Sequence, residues 1–166
     1  LSHCVRAVKR LMGRSLILPQ PIERTPAQIS SLYLHHLLHH AHRSGIFSDR
    51  DELTITVPAS FTTNQRRDTL RALEMAADEL KMPFLKEKRG RVLISEPVAA
   101  LLAYLAHDLR NAESLRKFDL DSNPLVLVYD MGGGTLDLTL VQLGWRDISK
   151  PKTLGNVRFE IRELNR

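Results

Sequence analysis

The stretch YDMGGGTLDL, residues 129–138, constrains the fold of this chain more than any other segment. Three consecutive glycines cost backbone entropy on folding and add nothing to a hydrophobic core. An apolar run precedes them and an alternating run follows, which predicts a strand on each side. Because a strand and not a helix follows the glycines, the pattern predicts a hairpin over residues 125–143. P-loops and dinucleotide-binding turns differ, since their glycines open a helix.

A glycine-rich turn of this kind can bind an anion with its backbone. Glycines adopt positive φ and carry no side chain, so successive N–H groups can converge on a phosphate. Asp130 ends the first strand and could hold a hydrated Mg²⁺, and Thr135 offers a hydroxyl to a phosphate oxygen. A purely structural hairpin is the alternative, although such a turn usually needs only one or two glycines. The residues therefore favour phosphate binding.

Elsewhere the chain alternates predicted helices and strands. Thr25 with Gln28, and Thr62 with Gln65, have the spacing of a capping box, which predicts a helix after each threonine. A third helix is predicted from Pro97 to about Ala106. Strands are predicted at 52–58, 91–95, 125–130 (a buried-type strand), 135–143 and 156–164. This alternation predicts an α/β protein.

Apolar residues at helical spacing predict which face of each long helix is buried. The predicted stripe of the first helix is Ile29, Leu32, Tyr33, Leu37 and Ala41, and that of the second is Leu70, Leu73, Ala77 and Leu80.

Composition narrows the class of protein. The 166 residues suffice for one domain or two small lobes. The net charge of +5 comes from scattered basic residues and aromatics make up only 5%, so we expect a solvated basic surface and no nucleic-acid partner. No apolar stretch approaches the roughly 20 residues that span a bilayer, so no membrane partner is expected. The single Cys4 forms no internal disulfide, which predicts a cytoplasmic location.

Five histidines crowd the first predicted helix: His35, His36, His39, His40 and His42. The pairs His35/His39 and His36/His40 have the i, i+4 spacing that can chelate zinc. The sequence shows no nearby cysteine or acidic third ligand. A solvated histidine face is favoured, and metal binding in vitro is the alternative.

Four segments, in order, resemble the 70-kilodalton heat-shock chaperones (DnaK-type) of the actin-like ATPase superfamily. LVLVYDMGGGTLDLTLVQL is similar to the second phosphate-loop motif of that family, and AVKRLMGR (7–14) to its lysine-containing segment. ITVPASFTTNQRRDTLRALEMA (55–76) is similar to its strand–proline–helix block, and ISEPVAALLAY (94–104) to its glutamate–proline helix. The resemblance implies a partial actin-like (ribonuclease-H-like) α/β fold, a mixed sheet with flanking helices. Residues 1–121 would belong to the first lobe, and residues 122–166 would start the second lobe with the phosphate-binding hairpin.

The resemblance also implies a role for each matching residue. Lys9 would help to position the γ-phosphate and the attacking water, Glu96 would order water around Mg²⁺, and Asp130 would belong to the magnesium shell. The residues that would bind ATP are Gly132, Gly133, Gly134, Thr135 and Asp137. Pro58 and Arg66 would relay the nucleotide state to a peptide-binding domain.

The function that the resemblance implies is that of a stress-response chaperone ATPase, whose hydrolysis of ATP to ADP controls binding of unfolded peptide clients and co-chaperones. A small-molecule kinase of the same superfamily and a degenerate, non-catalytic interaction module are the alternatives. The family's first phosphate loop, an aspartate–glycine–threonine hairpin, and its adenosine-binding motif have no counterpart here, and Leu1 stands in place of methionine. We therefore expect a central piece of a longer protein that does not hydrolyse ATP alone.

Overall fold

The computed structural model of the chain describes residues 7–20, 22–48, 52–83, 85, 93–108, 122–131, 136–145 and 159–164. Within these residues the helices are a 3-10 helix (Val8–Leu11), α1 (Pro26–Arg43), α2 (Thr63–Glu79) and α3 (Glu96–Asp108). The strands are β1 (Ile55–Val57), β2 (Leu93–Ser95), β3 (Leu125–Met131), β4 (Leu136–Trp145) and β5 (Phe159–Glu163). They form two sheets, β1–β2 and β3–β4–β5, which confirms a mixed α/β architecture.

The chain divides into two compact units. The first comprises Leu1–Ile55 and Phe61–Leu93, and the second comprises Thr56–Ser60 and Ile94–Arg166. The predicted division into lobes after residue 121 stays a prediction. Among the described helices, none is both long and apolar enough to cross a membrane.

Both predicted capping boxes are present in the first unit. Gln28 donates its backbone N–H to Oγ1 of Thr25 at 3.2 Å, and the Thr25 N–H donates to Oε1 of Gln28 at 2.8 Å. Thr62 and Gln65 repeat this arrangement at 3.3 and 2.8 Å. Because each box satisfies two backbone donors that a helix start leaves unpaired, α1 and α2 begin where the sequence predicts.

The core of the first unit lies between α1 and α2. Its buried members are Leu38, Phe47, Leu73, Ala76, Ala77, Met82 and Leu85. The predicted stripe of α2 is confirmed at Leu73 and Ala77, and Leu80 packs against this core, but Leu70 is exposed.

The predicted stripe of α1 is confirmed at Ile29, which is buried, and at Ala41, which packs against the core, but not at its other members. Leu32, Tyr33 and Leu37 are 44, 59 and 64% exposed, so the prediction was wrong for these three residues. Leu38 is buried instead, and Leu34 packs beside it. The cause is tertiary, because α1 buries the side that α2 covers and not the side with the most large apolar residues.

The first residues of β1 and α3 differ by up to three positions from the predicted ones. β1 begins at Ile55, three residues later than predicted, and ends directly before Pro58 as expected. β2 spans Leu93–Ser95, and the predicted strand residues 91 and 92 lie outside the described residues. α3 begins at Glu96, one residue before Pro97.

The predicted hairpin is confirmed in the second unit. β3 and β4 pair antiparallel from Leu125 opposite Gln142 to Met131 opposite Leu136. The predicted turn, residues 132–135, lies outside the described residues. β5 pairs antiparallel with β4 and confirms the last predicted strand.

The two faces of this hairpin differ in burial. One face packs against α3 and forms the core of the unit; its members are Val126, Val128, Val141, Leu143 and, from α3, Val98, Leu101 and Leu105. The other face carries exposed apolar side chains, namely Leu125, Leu127, Tyr129, Met131 and Leu138. The prediction of a buried-type strand for β3 was therefore wrong for one face, because within the described residues α3 covers only the other.

Candidate functional site

Two carboxylates face each other where the hairpin approaches its turn. Asp130 of β3 is the register partner of Asp137 of β4, and only the pair of Met131 and Leu136 lies between them and residues 132–135. Directly opposite residues of an antiparallel ladder lie on the same face, with Cβ atoms about 4.5–5.5 Å apart. Both aspartates are half-buried. The hairpin thus brings two predicted site residues together.

This arrangement suits a hard cation. Like charges directly opposite on a sheet repel, and a cation bound between them relieves the repulsion. Mg²⁺ prefers oxygen ligands, is commonly held by one or two carboxylates and keeps several waters. In the part of the chain that the structure describes, no group of three or more His, Cys, Asp or Glu side chains has metal-binding geometry. Two carboxylates with water in the remaining positions lie within the ligand set that Mg²⁺ accepts, and the predicted place of Asp130 in a magnesium shell stays a prediction.

A buried hydroxyl lies beside the two carboxylates. Thr139 follows Asp137 on the same face of β4, pairs with Val128 and is 0% exposed. Its Oγ1 has no hydrogen-bond partner among the described residues, and the same holds for Oγ of the buried Ser95. Sequence reasoning missed both hydroxyls. The alternation of β4 predicts that Thr139 faces inward, but only burial shows that its hydroxyl is unpaired.

Glu96 is the first residue of α3 and is half-buried. The positive end of a helix macrodipole stabilises a carboxylate in the first turn. α3 packs through Leu101 and Leu105 on the hairpin face that carries Asp130 and Asp137. Within the described residues Glu96 does not form a common metal-binding group with these aspartates. The predicted role of Glu96, to order water around Mg²⁺, stays a prediction.

The segment with Lys9 is part of the first unit. Lys9 is exposed and lies in the short 3-10 helix Val8–Leu11. Directly after this helix, the Gly13 N–H donates to Oδ2 of Asp68 in α2 at 2.9 Å. Met12 is buried, and its Sδ accepts from the Ser30 hydroxyl of α1 at 3.4 Å. The lysine segment is thus attached to both long helices. Sequence reasoning missed Asp68, since no local pattern links it to Gly13.

The two residues of the predicted relay lie in different units. Pro58 is buried directly after β1 in the second unit. Arg66 is half-buried in the first turn of α2, and its Nε donates to the Phe61 carbonyl at 3.2 Å. Arg66 therefore holds the segment that enters α2. Its predicted part in a relay stays a prediction.

Gly132, Gly133, Gly134 and Thr135 lie outside the described residues. Their phosphate contacts stay predictions. These four residues connect Met131 to Leu136, which are register partners in the hairpin.

The architecture and the site define a mixed α/β protein in which two carboxylates flank a glycine-rich hairpin. A protein-family model, described as Hsp70 protein, matches residues 15–149, which is most of the chain. The chain therefore belongs to the Hsp70 family. This family consists of chaperone-type ATPases with an actin-like fold that bind ATP or ADP with Mg²⁺. The matched residues include Glu96, Asp130 and Asp137 and begin after Lys9.

Proposed function

We propose that this chain forms part of the ATP-binding and ATP-hydrolysing domain of a chaperone in which hydrolysis is coupled to binding of unfolded peptides. The observation that carries the proposal is the Asp130–Asp137 register pair, which flanks the four residues Gly-Gly-Gly-Thr. Carboxylates are the ligands that magnesium prefers, and glycine N–H groups are open to phosphate oxygens. A hairpin with only a structural role has no need of both.

The proposed work of the chain is positioning and electrostatic stabilisation, which dominate phosphoryl transfer. Asp130 and Asp137 would hold Mg²⁺, which when bound would supply positive charge to neutralise the nucleotide phosphates. The N–H groups of residues 132–135, which lie outside the described residues, would donate to phosphate oxygens. Glu96, held at the start of α3, orients water, and Lys9 positions the terminal phosphate and the attacking water.

Coupling to peptide binding is proposed to use Pro58 and Arg66. The Arg66–Phe61 hydrogen bond ties the start of α2 to the residues between β1 and α2, so a shift of either end is transmitted to the other. The proposed partners are ATP or ADP, unfolded peptides and co-chaperones, in the cytoplasm, without nucleic acid or membrane. The dispersed positive charge agrees with this partner set.

Phosphate release from Mg·ATP by the full-length protein tests the proposal. We expect turnover without any added acceptor and ATP-dependent release of a labelled unfolded peptide. Asp130→Asn should lower turnover by about tenfold or more, because it weakens an oxygen ligand of the metal. Glu74→Gln is the matched control, since Glu74 is an exposed carboxylate of α2.

Two results would point to another function. Turnover that depends on a small acceptor would identify a kinase. Nucleotide binding without any turnover, in the wild type as in Asp130→Asn, would identify an interaction module that retains only the fold.

A further inference from the structure

A group of five histidines on α1 lies outside the candidate site of the hairpin. Four of its five histidines (His36, His39, His40 and His42) are exposed, and His35 is half-buried. The opposite face packs on α2 through Leu34 and Leu38. The histidines therefore contribute little to the core that the described residues form.

His35 and His39 are already side by side. Their ring centroids are 5.9 Å apart and their planes differ by 4°. A tetrahedral ion with ring nitrogens at about 2.0–2.1 Å places the two ring centres roughly 5 Å apart. Rotation of both rings about their Cβ–Cγ bonds, with a closure of less than an ångström, converts the stacked pair into a chelate. Among the described residues, no side-chain hydrogen bond or ion pair of either ring opposes this rotation.

The ligand chemistry selects the class of metal. α1 contains no Asp or Glu, so the donors on this face are imidazole nitrogens. Imidazole suits Cu²⁺, Ni²⁺ and Zn²⁺, whereas Mg²⁺ and Ca²⁺ prefer carboxylate and carbonyl oxygens. This face therefore differs in selectivity from the Asp130–Asp137 pair.

We propose that His35 and His39 form a binding site for a late first-row divalent metal ion, with water in the remaining coordination positions. His36 and His40 have the same spacing one position further around the helix. They are not stacked in the structure, and we assign them no more than a secondary contribution. No third protein ligand completes the site within the described residues. With water in the remaining positions, the proposed site would leave the bound ion exchangeable and open to outside ligands, unlike a closed structural zinc site.

Chelation across one helical turn has a physical consequence for the protein. Only the folded helix holds the two imidazoles at i, i+4, so the ion binds the folded chain in preference to the unfolded one. Saturating metal therefore stabilises the first unit.

Titration calorimetry of the untagged 166-residue chain with ZnCl₂ tests the proposal, with CuCl₂ and MgCl₂ as further arms. His3→Gln and Cys4→Ser are present in every sample, because these two residues near the N-terminus are themselves metal donors. We expect saturable binding of Zn²⁺ and tighter binding of Cu²⁺, as the Irving–Williams order requires. Mg²⁺ should not bind to the histidine pair, so any Mg²⁺ signal should be unchanged when His35 and His39 are replaced. Electron paramagnetic resonance of the Cu²⁺ complex should show coordination by two imidazole nitrogens.

The matched variants are His35→Gln/His39→Gln and His36→Gln/His40→Gln, which remove equal numbers of histidines from the same helix. The first pair should lower Zn²⁺ affinity at least tenfold and abolish the metal-induced rise in melting temperature. The second should lower the affinity less than threefold. Equal melting temperatures without metal show that both variants fold.

Three results would overturn the proposal. In the first, the His35→Gln/His39→Gln variant binds Zn²⁺ as tightly as the wild type does. In the second, both variants lose the same affinity for Zn²⁺, which would mean diffuse binding to the histidine face. Wild-type binding weaker than about 1 mM would mean an adventitious ion only.

Discussion

The backbone N–H of Gly13 donates a hydrogen bond to Oδ2 of Asp68, 2.9 Å away and 55 positions further along the chain. Gly13 has φ +78°, a conformation that side chains rarely adopt, and a Cβ there would lie 2.8 Å from Cγ and 3.0 Å from the backbone nitrogen of Gln65. Gln65 cannot easily move, because its side chain belongs to the capping box of α2. The turn that follows the Lys9 segment is therefore held by backbone conformation, sterics and a charge-assisted hydrogen bond together.

Gly13→Ala should destabilise the protein by at least about 2 kcal/mol, because left-handed backbone strain of about 1–2 kcal/mol adds to the clash with Gln65. Gly45→Ala is the control: Gly45 has φ +68°, but a Cβ there would meet nothing within 4 Å. That variant should lose only the conformational part, about 1–2 kcal/mol. Urea unfolding followed by circular dichroism measures both. Equal losses of stability in the two variants would show that the contact between the new Cβ and Gln65 relaxes without a cost in free energy.

Lys9→Ala in the full-length protein should lower single-turnover hydrolysis of ATP much more than it lowers nucleotide affinity. The proposed role of Lys9 is to position reacting groups, and an interaction made mainly in the transition state changes the rate and not the ground-state binding. Arg14→Ala, the loss of a nearby exposed cation, is the control. A wild-type single-turnover rate in Lys9→Ala would assign the catalytic lysine elsewhere.

Asp137→Asn should stabilise the metal-free protein by about 0.2–1 kcal/mol, since it removes the repulsion between two carboxylates directly opposite on β3 and β4. The same substitution should abolish any stabilisation by millimolar Mg²⁺. Thermal unfolding in chelator and in MgCl₂ measures both effects, with Glu74→Gln as the control for loss of an exposed charge. An unchanged Mg²⁺ effect would remove Asp137 from the proposed metal site.

Thr139→Val should stabilise the metal-free protein by about 1–2 kcal/mol, because it replaces a buried hydroxyl that has no partner among the described residues with a methyl group. Thr139→Ser should instead destabilise it by about 1 kcal/mol, since it keeps the hydroxyl and removes a methyl from the core. Chemical denaturation of the two variants compares them directly. A loss of stability in Thr139→Val would reveal a hydrogen bond of this hydroxyl.

The 166 residues alone should bind Mg·ATP no more tightly than about 1 mM, roughly −4 kcal/mol, and should not hydrolyse it. A single glycine hairpin offers few contacts, and association also costs several kcal/mol of rigid-body freedom. Isothermal titration calorimetry with Mg·ATP checks this. Micromolar affinity would mean that this chain, or a second copy of it, supplies the missing phosphate contacts.

Much of the candidate site could be predicted because its signals are local. The hairpin follows from an alternating pattern around glycines, and its observed register makes Asp130 and Asp137 partners. Pro97 predicts the start of α3 to within one residue, since the helix begins at Glu96. Asp68 and the unpaired hydroxyl of Thr139 could not be predicted, because the importance of each depends on residues far away in sequence or on burial.

The starts of α1 and α2 follow from local sequence, because the capping boxes of Thr25 and Thr62 are closed by residues only three positions away. The choice of the buried side of α1 depends instead on how α1 packs against α2. Leu38 and not Leu37 entered the core because the side chains of α2, including Leu73, cover that side. The physical reason is the sequence separation of the interacting residues. The hydrogen bonds of a helix cap or a hairpin join residues that are close in sequence, whereas burial depends on the contact between two elements that are far apart in sequence.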